Sequence, residues 1–345
     1  MALYLFATII SFFLQFTLIV PFINFLYHLK FQRANQATRD AFNKPTPIFD
    51  KFHKHKQGTP TGGGIIIVLL TTALFGLFLF LFAIFNRSIH SNYPSVIAEI
   101  KIIIFSFISF AFLGIYDDLN KIFFWQKQQF FGLRLRHKLI IEMILAGIIS
   151  FWLYADLKIS IINVPFFGVF DIGVFYVFFA AFVILAFANA VNITDGLDGL
   201  AGGILMISLT CFWVIAHTII DVPTSIFIAV WLGGLIAFLY FNIYPARLIM
   251  GDTGALSFGA TFAVIGLILG KSFALPMIGG VFVLEIASSF LQLMSKKYRH
   301  KKIFPVAPLH LWLQMRGWAE PKIVMRFWII SIMFSLFGLM IAFMK

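Results

Sequence analysis

Residues 172–200 read IGVFYVFFAAFVILAFANAVNITDGLDGL. From Ile172 to Ala188 there is no charged or amide side chain, which puts the run within the ~17–25 apolar residues that cross a bilayer as a helix. Backbone groups in hydrocarbon must be satisfied within the segment, so the run is read as a helix rather than a strand. Polarity then returns abruptly. Asn189, Asn192, Asp195 and Asp198 follow at spacings of three, with Gly196 and Gly199 allowing tight turns. Acids at the edge of lipid are costly and call for a function.

The rest of the chain repeats this pattern. The sequence is 61% hydrophobic and 12% charged with 46 Phe, more apolar surface than a soluble core uses. Apolar stretches of this length recur about ten times. They run roughly over 3–28, 62–85, 99–116, 138–155, 172–189, 200–219, 224–241, 254–270, 273–294 and 323–344. The expectation is an all-α integral membrane protein, one polytopic domain over residues 1–345, with a short hairpin near 157–171 outside the membrane. Met1 to Tyr27 is read as a retained first helix, not a signal peptide, because it lacks a basic start and a small-residue cleavage site. Cys211 is the only cysteine, which excludes an intramolecular disulfide.

Charge sets the orientation. Of the 26 Lys and Arg, all but Arg87, Lys101, Lys158, Lys271 and Lys345 fall in residues 29–61, 117–138 and 295–326 or at Arg247. The basic loops are therefore expected in the cytoplasm and both termini in the periplasm. The same charge attracts anionic headgroups and polyanionic substrates. Nucleic-acid binding is not expected, since there is no soluble basic module.

Three acidic segments fall on the basic side. Asp117-Asp118, with Lys121 beyond, ends a helix, where the dipole opposes an acid and a cation is wanted. Asn189 to Asp198 forms the second. Met250-Gly251-Asp252-Thr253-Gly254 forms the third, and Asp252 is the best metal-ligand candidate, since Mg²⁺ takes one or two carboxylates with phosphate oxygens and waters. Gly58-Thr59-Pro60-Thr61-Gly62-Gly63-Gly64 after Lys56 is either a capped turn or an anion-facing helix start. It is not a Walker loop. Lys138 and Glu142 suggest a structural ion pair. Glu285, Ser288, Ser289 and Gln292 form a stripe that is either interhelical glue or the flank of a site. His53 and His55 read as solvated, and a lone loop histidine such as His310 would by itself be read the same way.

These motifs resemble the phospho-N-acetylmuramoyl-pentapeptide transferases, of the polyprenyl-phosphate N-acetylhexosamine-1-phosphate transferase superfamily (glycosyltransferase family 4). The likeness runs from about Lys56 to the C-terminus. Gly132-Leu133, Asn242, Pro245-Ala246, Pro308-Leu309-His310, Gly317-Trp318 and Met325-Arg326-Phe327-Trp328 extend it. The resemblance implies ten helices and a Mg²⁺-dependent transfer of phospho-MurNAc-pentapeptide from UDP-MurNAc-pentapeptide to undecaprenyl phosphate. The products would be lipid I and UMP, for peptidoglycan, at the cytoplasmic face of the bacterial inner membrane. It implies Asp252, with Asp195, for the metal, and Asp117, Asp118, Asp252 and His310 for catalysis. Lys56, Thr61, Lys121, Lys138, Asn189, Asn192, Asp195, Asp198 and Asn242 would meet the substrates. Membrane lipids and a homodimer partner are implied as well.

The chain departs from the family in three places. His310-Leu311-Trp312 replaces a run of three histidines, with Trp312 expected on the sugar or at the interface. Ile249 replaces an aromatic expected on uracil. The loop between Asp118 and Lys138, with Phe123-Phe124-Trp125 and Phe130-Phe131, is longer. Two alternatives stay open: a sister transferase of GlcNAc-1-phosphate, and an ion-coupled transporter, whose acids would sit nearer the bilayer midplane.

Overall fold

The computed structural model describes residues 1–32, 46, 48, 50, 52, 56–124 and 135–344. His53, His55, Trp125, Phe130-Phe131 and Gly132-Leu133 lie outside the described residues. The long helices are α1 (Ala2–His28), α2 (Gly63–Ile84), α3 (Val96–Leu119), α4 (Leu135–Ala155), α5 (Phe175–Thr194), α6 (Leu200–Thr218), α7 (Val222–Asn242) and α8 (Gly251–Ile268). After them come a short α9 (Leu275–Ile278), then α10 (Gly280–Tyr298), α11 (Leu309–Met315) and α12 (Glu320–Phe343). Among the described residues nine helices are long and apolar enough to cross a membrane. The chain is thus a multi-pass, mostly helical membrane protein.

The expected span 273–294 is broken at Gly279 into α9 and α10. α10 has 19 residues but carries Glu285, Gln292, Lys296 and Lys297, so it falls short in hydropathy. The expected hairpin is present: β1 (Ile161–Val164) pairs antiparallel with β2 (Gly168–Asp171), Ile162 opposite Phe170.

α7 and α8 form the centre. Every residue of α8 is buried. Lipid gives helices no hydrophobic reason to associate, so close packing between small residues decides the arrangement. α8 supplies them. A Cβ on Gly64 of α2 would overlap the backbone of Gly254, and one on Gly114 of α3 would overlap Asp252 and Thr253. A Cβ on Gly259 would overlap the backbone of Phe187 on α5. Hydroxyls add links, with Ser257 Oγ donating to Phe107 O at 2.6 Å. On the other side of α7, Ser11 of α1 donates to Val230 O at 2.6 Å. Phe107, Phe227, Trp231 and Phe258 fill the middle with edge, tilted and stacked ring contacts at 5.2–5.7 Å.

Candidate active site

The N-terminus of α8 is where the acidic segments converge. α3 runs three residues beyond its expected end, and a π-helical turn, Asn120–Phe124, continues it. Asp117 and Asp118 are thereby fixed on the last helical turn, both buried. Gly114, one turn earlier, lets that turn lie directly on the backbone of Asp252 and Thr253.

The two neighbouring acids do different work. Asp118 accepts from Asp252 N at 3.1 Å, Thr253 N at 3.0 Å and Thr253 Oγ1 at 2.9 Å. It satisfies N–H groups that the first turn of α8 leaves without helical partners. Asp117 instead turns to two lysines. Lys121 Nζ lies 3.2 Å and Lys138 Nζ 3.0 Å from its Oδ2. The same two ammonium groups reach Asp252, Lys121 at 2.7 Å on Oδ1 and Lys138 at 2.7 Å on Oδ2. Asn192 Nδ2 adds a bond to Asp252 Oδ2 at 3.3 Å. Two carboxylates and two ammonium groups thus form one nearly closed, formally neutral cluster. Lys138 pairs here and not with Glu142, which corrects the expected ion pair. Glu142 is buried and accepts from Asn189 Nδ2 at 2.6 Å.

A second buried network holds the neighbouring loops. Lys56 Nζ meets Asp198 Oδ1 at 2.7 Å, Glu320 Oε1 at 2.8 Å and Gly196 O at 3.0 Å. Glu320 also accepts from Asp198 N at 2.6 Å, and Asp198 Oδ2 from Ala246 N at 3.0 Å. Asn242 accepts from Gly199 N and donates to Leu248 O. Lys56, Asp198 and Asn242 therefore brace the loops around the site. Glu320 escaped the sequence reading, which began the last span at residue 323. Its signal was an acid directly before Pro321 at the start of an apolar run.

The glycine-rich segment is a brace too. Gly62 N and Gly63 N donate to Ile249 O, and Gly64 N donates to Met250 O. Those N–H groups are engaged by carbonyls, so the anion-facing reading does not hold for them. Thr61 is buried beside the segment, with its methyl in reach of Gly251. Ile249 contributes its backbone to this pairing.

His310 is buried on α11. Its Nδ1 lies 2.9 Å from Glu285 Oε2, and its backbone N donates to Glu285 Oε1 at 3.1 Å. Nε2 makes no hydrogen bond. It points at Gly196, where a Cβ would overlap it. Glu285 thus resolves the open reading of its stripe: it orients His310, while Gln292 holds Ile303 N and Phe304 N. Trp312 lies half-buried under Arg316. Asp195 is the half-buried C-cap of α5.

Among the described residues no three His, Cys, Asp or Glu side chains gather as a metal cage. Asp117 and Asp252, however, share each ammonium at 2.7–3.2 Å. Two carboxylates that close on one cation are the donor set that Mg²⁺ takes when phosphate oxygens and waters complete its shell. The residues therefore fit that ion.

Residues 100–270 match the glycosyl transferase family 4 model. The chain is 38% identical to a phospho-N-acetylmuramoyl-pentapeptide-transferase of Rickettsia felis over 343 residues, covering 94% of this chain and 90% of the relative. It is 37% identical to one of Caldanaerobacter subterraneus, covering 95% of each. A third, of Clostridium novyi, is 36% identical over 83% of each.

Proposed function

We propose a function from one premise: this chain belongs to the phospho-N-acetylmuramoyl-pentapeptide-transferase family. The protein is a membrane transferase that moves phospho-MurNAc-pentapeptide from its UDP donor to undecaprenyl phosphate, yielding lipid I and UMP. The observation that carries this reading is the cluster of Asp117, Asp252, Lys121 and Lys138 at one end of the bundle. Transporter acids would sit near the midplane; these sit at helix ends.

Both substrates are anionic, so their repulsion must be screened before they meet. Mg²⁺, held by Asp252 with Asp117 beside it, would supply part of that screening. Lys121 and Lys138 supply the rest by exchanging carboxylate oxygens for phosphate oxygens. The acceptor phosphate has a second pKa near 6, so it is largely dianionic at neutral pH and needs no strong base. Its oxygen attacks the donor's β-phosphorus, and the bond to the bridging oxygen breaks to release UMP. Asp117 orients the acceptor and takes up any remaining proton. Asn189 and Asn192 line the approach from α5, and His310 Nε2 faces the diphosphate across Gly196. The site lies on the cytoplasmic face of the bacterial inner membrane, in keeping with a nucleotide donor and the Lys/Arg asymmetry.

The test is UMP release by purified protein with undecaprenyl phosphate, offered UDP-MurNAc-pentapeptide or UDP-GlcNAc, with and without a Mg²⁺ chelator. The reading expects release from the first donor only, and only with the metal. Preference for UDP-GlcNAc would make the chain the sister transferase.

A further inference from the structure

Three cations, Arg316 at the end of α11 and Lys322 and Arg326 in the first turns of α12, play no part in the reaction centre. Arg326 Cζ lies 4.4 Å and Lys322 Nζ 5.0 Å from the ring centroid of Trp318. Arg316 Cζ lies 4.2 Å from the centroid of Trp312. Stacking on indole holds each head in place. It also holds two like charges over one ring, and among the described residues no carboxylate pairs with any of the three. Such a pair is relieved by an anion placed between its members.

The side of α12 below them shows which anion fits. Lys322, Arg326, Ile329, Met333, Leu336 and Met340 follow one another at steps of four and three, so they share one face of the helix. That face is exposed throughout, with Ile329 61%, Met333 58% and Leu336 54% accessible. Ile329 and Met333 lie about 10 and 16 Å along the axis from Lys322, the depth of one leaflet. A cationic head above an apolar lane of that length is complementary to a phosphate above an acyl chain. A soluble acidic ligand would leave the lane unused.

We propose that Arg316, Lys322 and Arg326, set on Trp312 and Trp318, form a binding site for the phosphate of an anionic phospholipid whose chain lies along α12. The site is separate from the carboxylate–lysine cluster and does not depend on the transferase reading.

Native mass spectrometry of the full-length protein, offered phosphatidylglycerol against phosphatidylcholine, tests this. Wild-type protein is expected to retain phosphatidylglycerol at least tenfold better. The R316Q/K322Q/R326Q variant is expected to lose that preference, and each single variant to lose part of it, which keeps the test open if the triple variant does not fold. Lys301→Gln with Lys302→Gln, exposed and off the stripe, should keep it. Three results would overturn the proposal: no preference in the wild type, a preference that survives the triple change, or one lost equally in the Lys301/Lys302 control. Displacement of phosphatidylglycerol by undecaprenyl phosphate from the wild type but not the triple variant would also overturn it, giving the stripe to the acceptor.

Discussion

Asp117 and Asp118 are adjacent in sequence and opposite in consequence. Asp118 holds the first turn of α8 through three hydrogen bonds. Asp118→Ala is expected to cost about 1–2 kcal/mol, as loss of a helix cap does, and to lower turnover by displacing Asp252. Asp117→Ala leaves two largely buried ammonium groups with one carboxylate, Asp252, so it should lower the melting temperature as well. Its turnover should collapse even where the protein stays folded. UMP release per folded molecule separates the two, and residual turnover in Asp117→Ala equal to that of Asp118→Ala would count against the division. His310→Ala should reduce turnover more than tenfold, above roughly 1.4 kcal/mol of transition-state stabilisation. At this scale the residue types were legible in the sequence, because acids are expensive beside lipid. Their division of labour was not, since it depends on which N–H or ammonium group each carboxylate meets in space.

Helix-to-helix approach decides whether the cluster exists at all. Gly114 lies against the backbone of Asp252 and Thr253, and Gly64 against Gly254. Gly114→Val should therefore push α3 from α8, lowering both thermal stability and activity; an unchanged melt and rate would refute the close approach. Lys56 closes a buried network with Asp198 and Glu320. Lys56→Met removes the ammonium group that two buried carboxylates share, a change that typically costs about 3–5 kcal/mol. A denaturant melt in detergent should show that loss. The spans themselves were legible, because some twenty uninterrupted apolar residues have one stable conformation in lipid. The break at Gly279 was not, as the apolar run continues across it. Nor was the partner of Lys138: Glu142 is one turn away on α4, yet the lysine reaches across to α3 and α8.

Across the whole molecule, Lys56, Lys121 and Lys138 lie with the carboxylates at one end of the bundle, while the β1–β2 hairpin and the α7 N-terminus lie at the opposite ends of their helices. Cysteines placed at Gln57 and Tyr298, after Cys211 is removed, should be shielded from an impermeant thiol reagent in intact cells. Labelling from outside would invert the topology. The central claim is that the carboxylates shared by Lys121 and Lys138 are the reaction centre. Lipid I formation by Asp252→Asn, at saturating Mg²⁺ and with its melting temperature checked against wild type, tests it most directly. The account predicts a folded protein with no measurable product, since an amide of the same shape cannot supply the lost charge. Near-normal lipid I formation would contradict it.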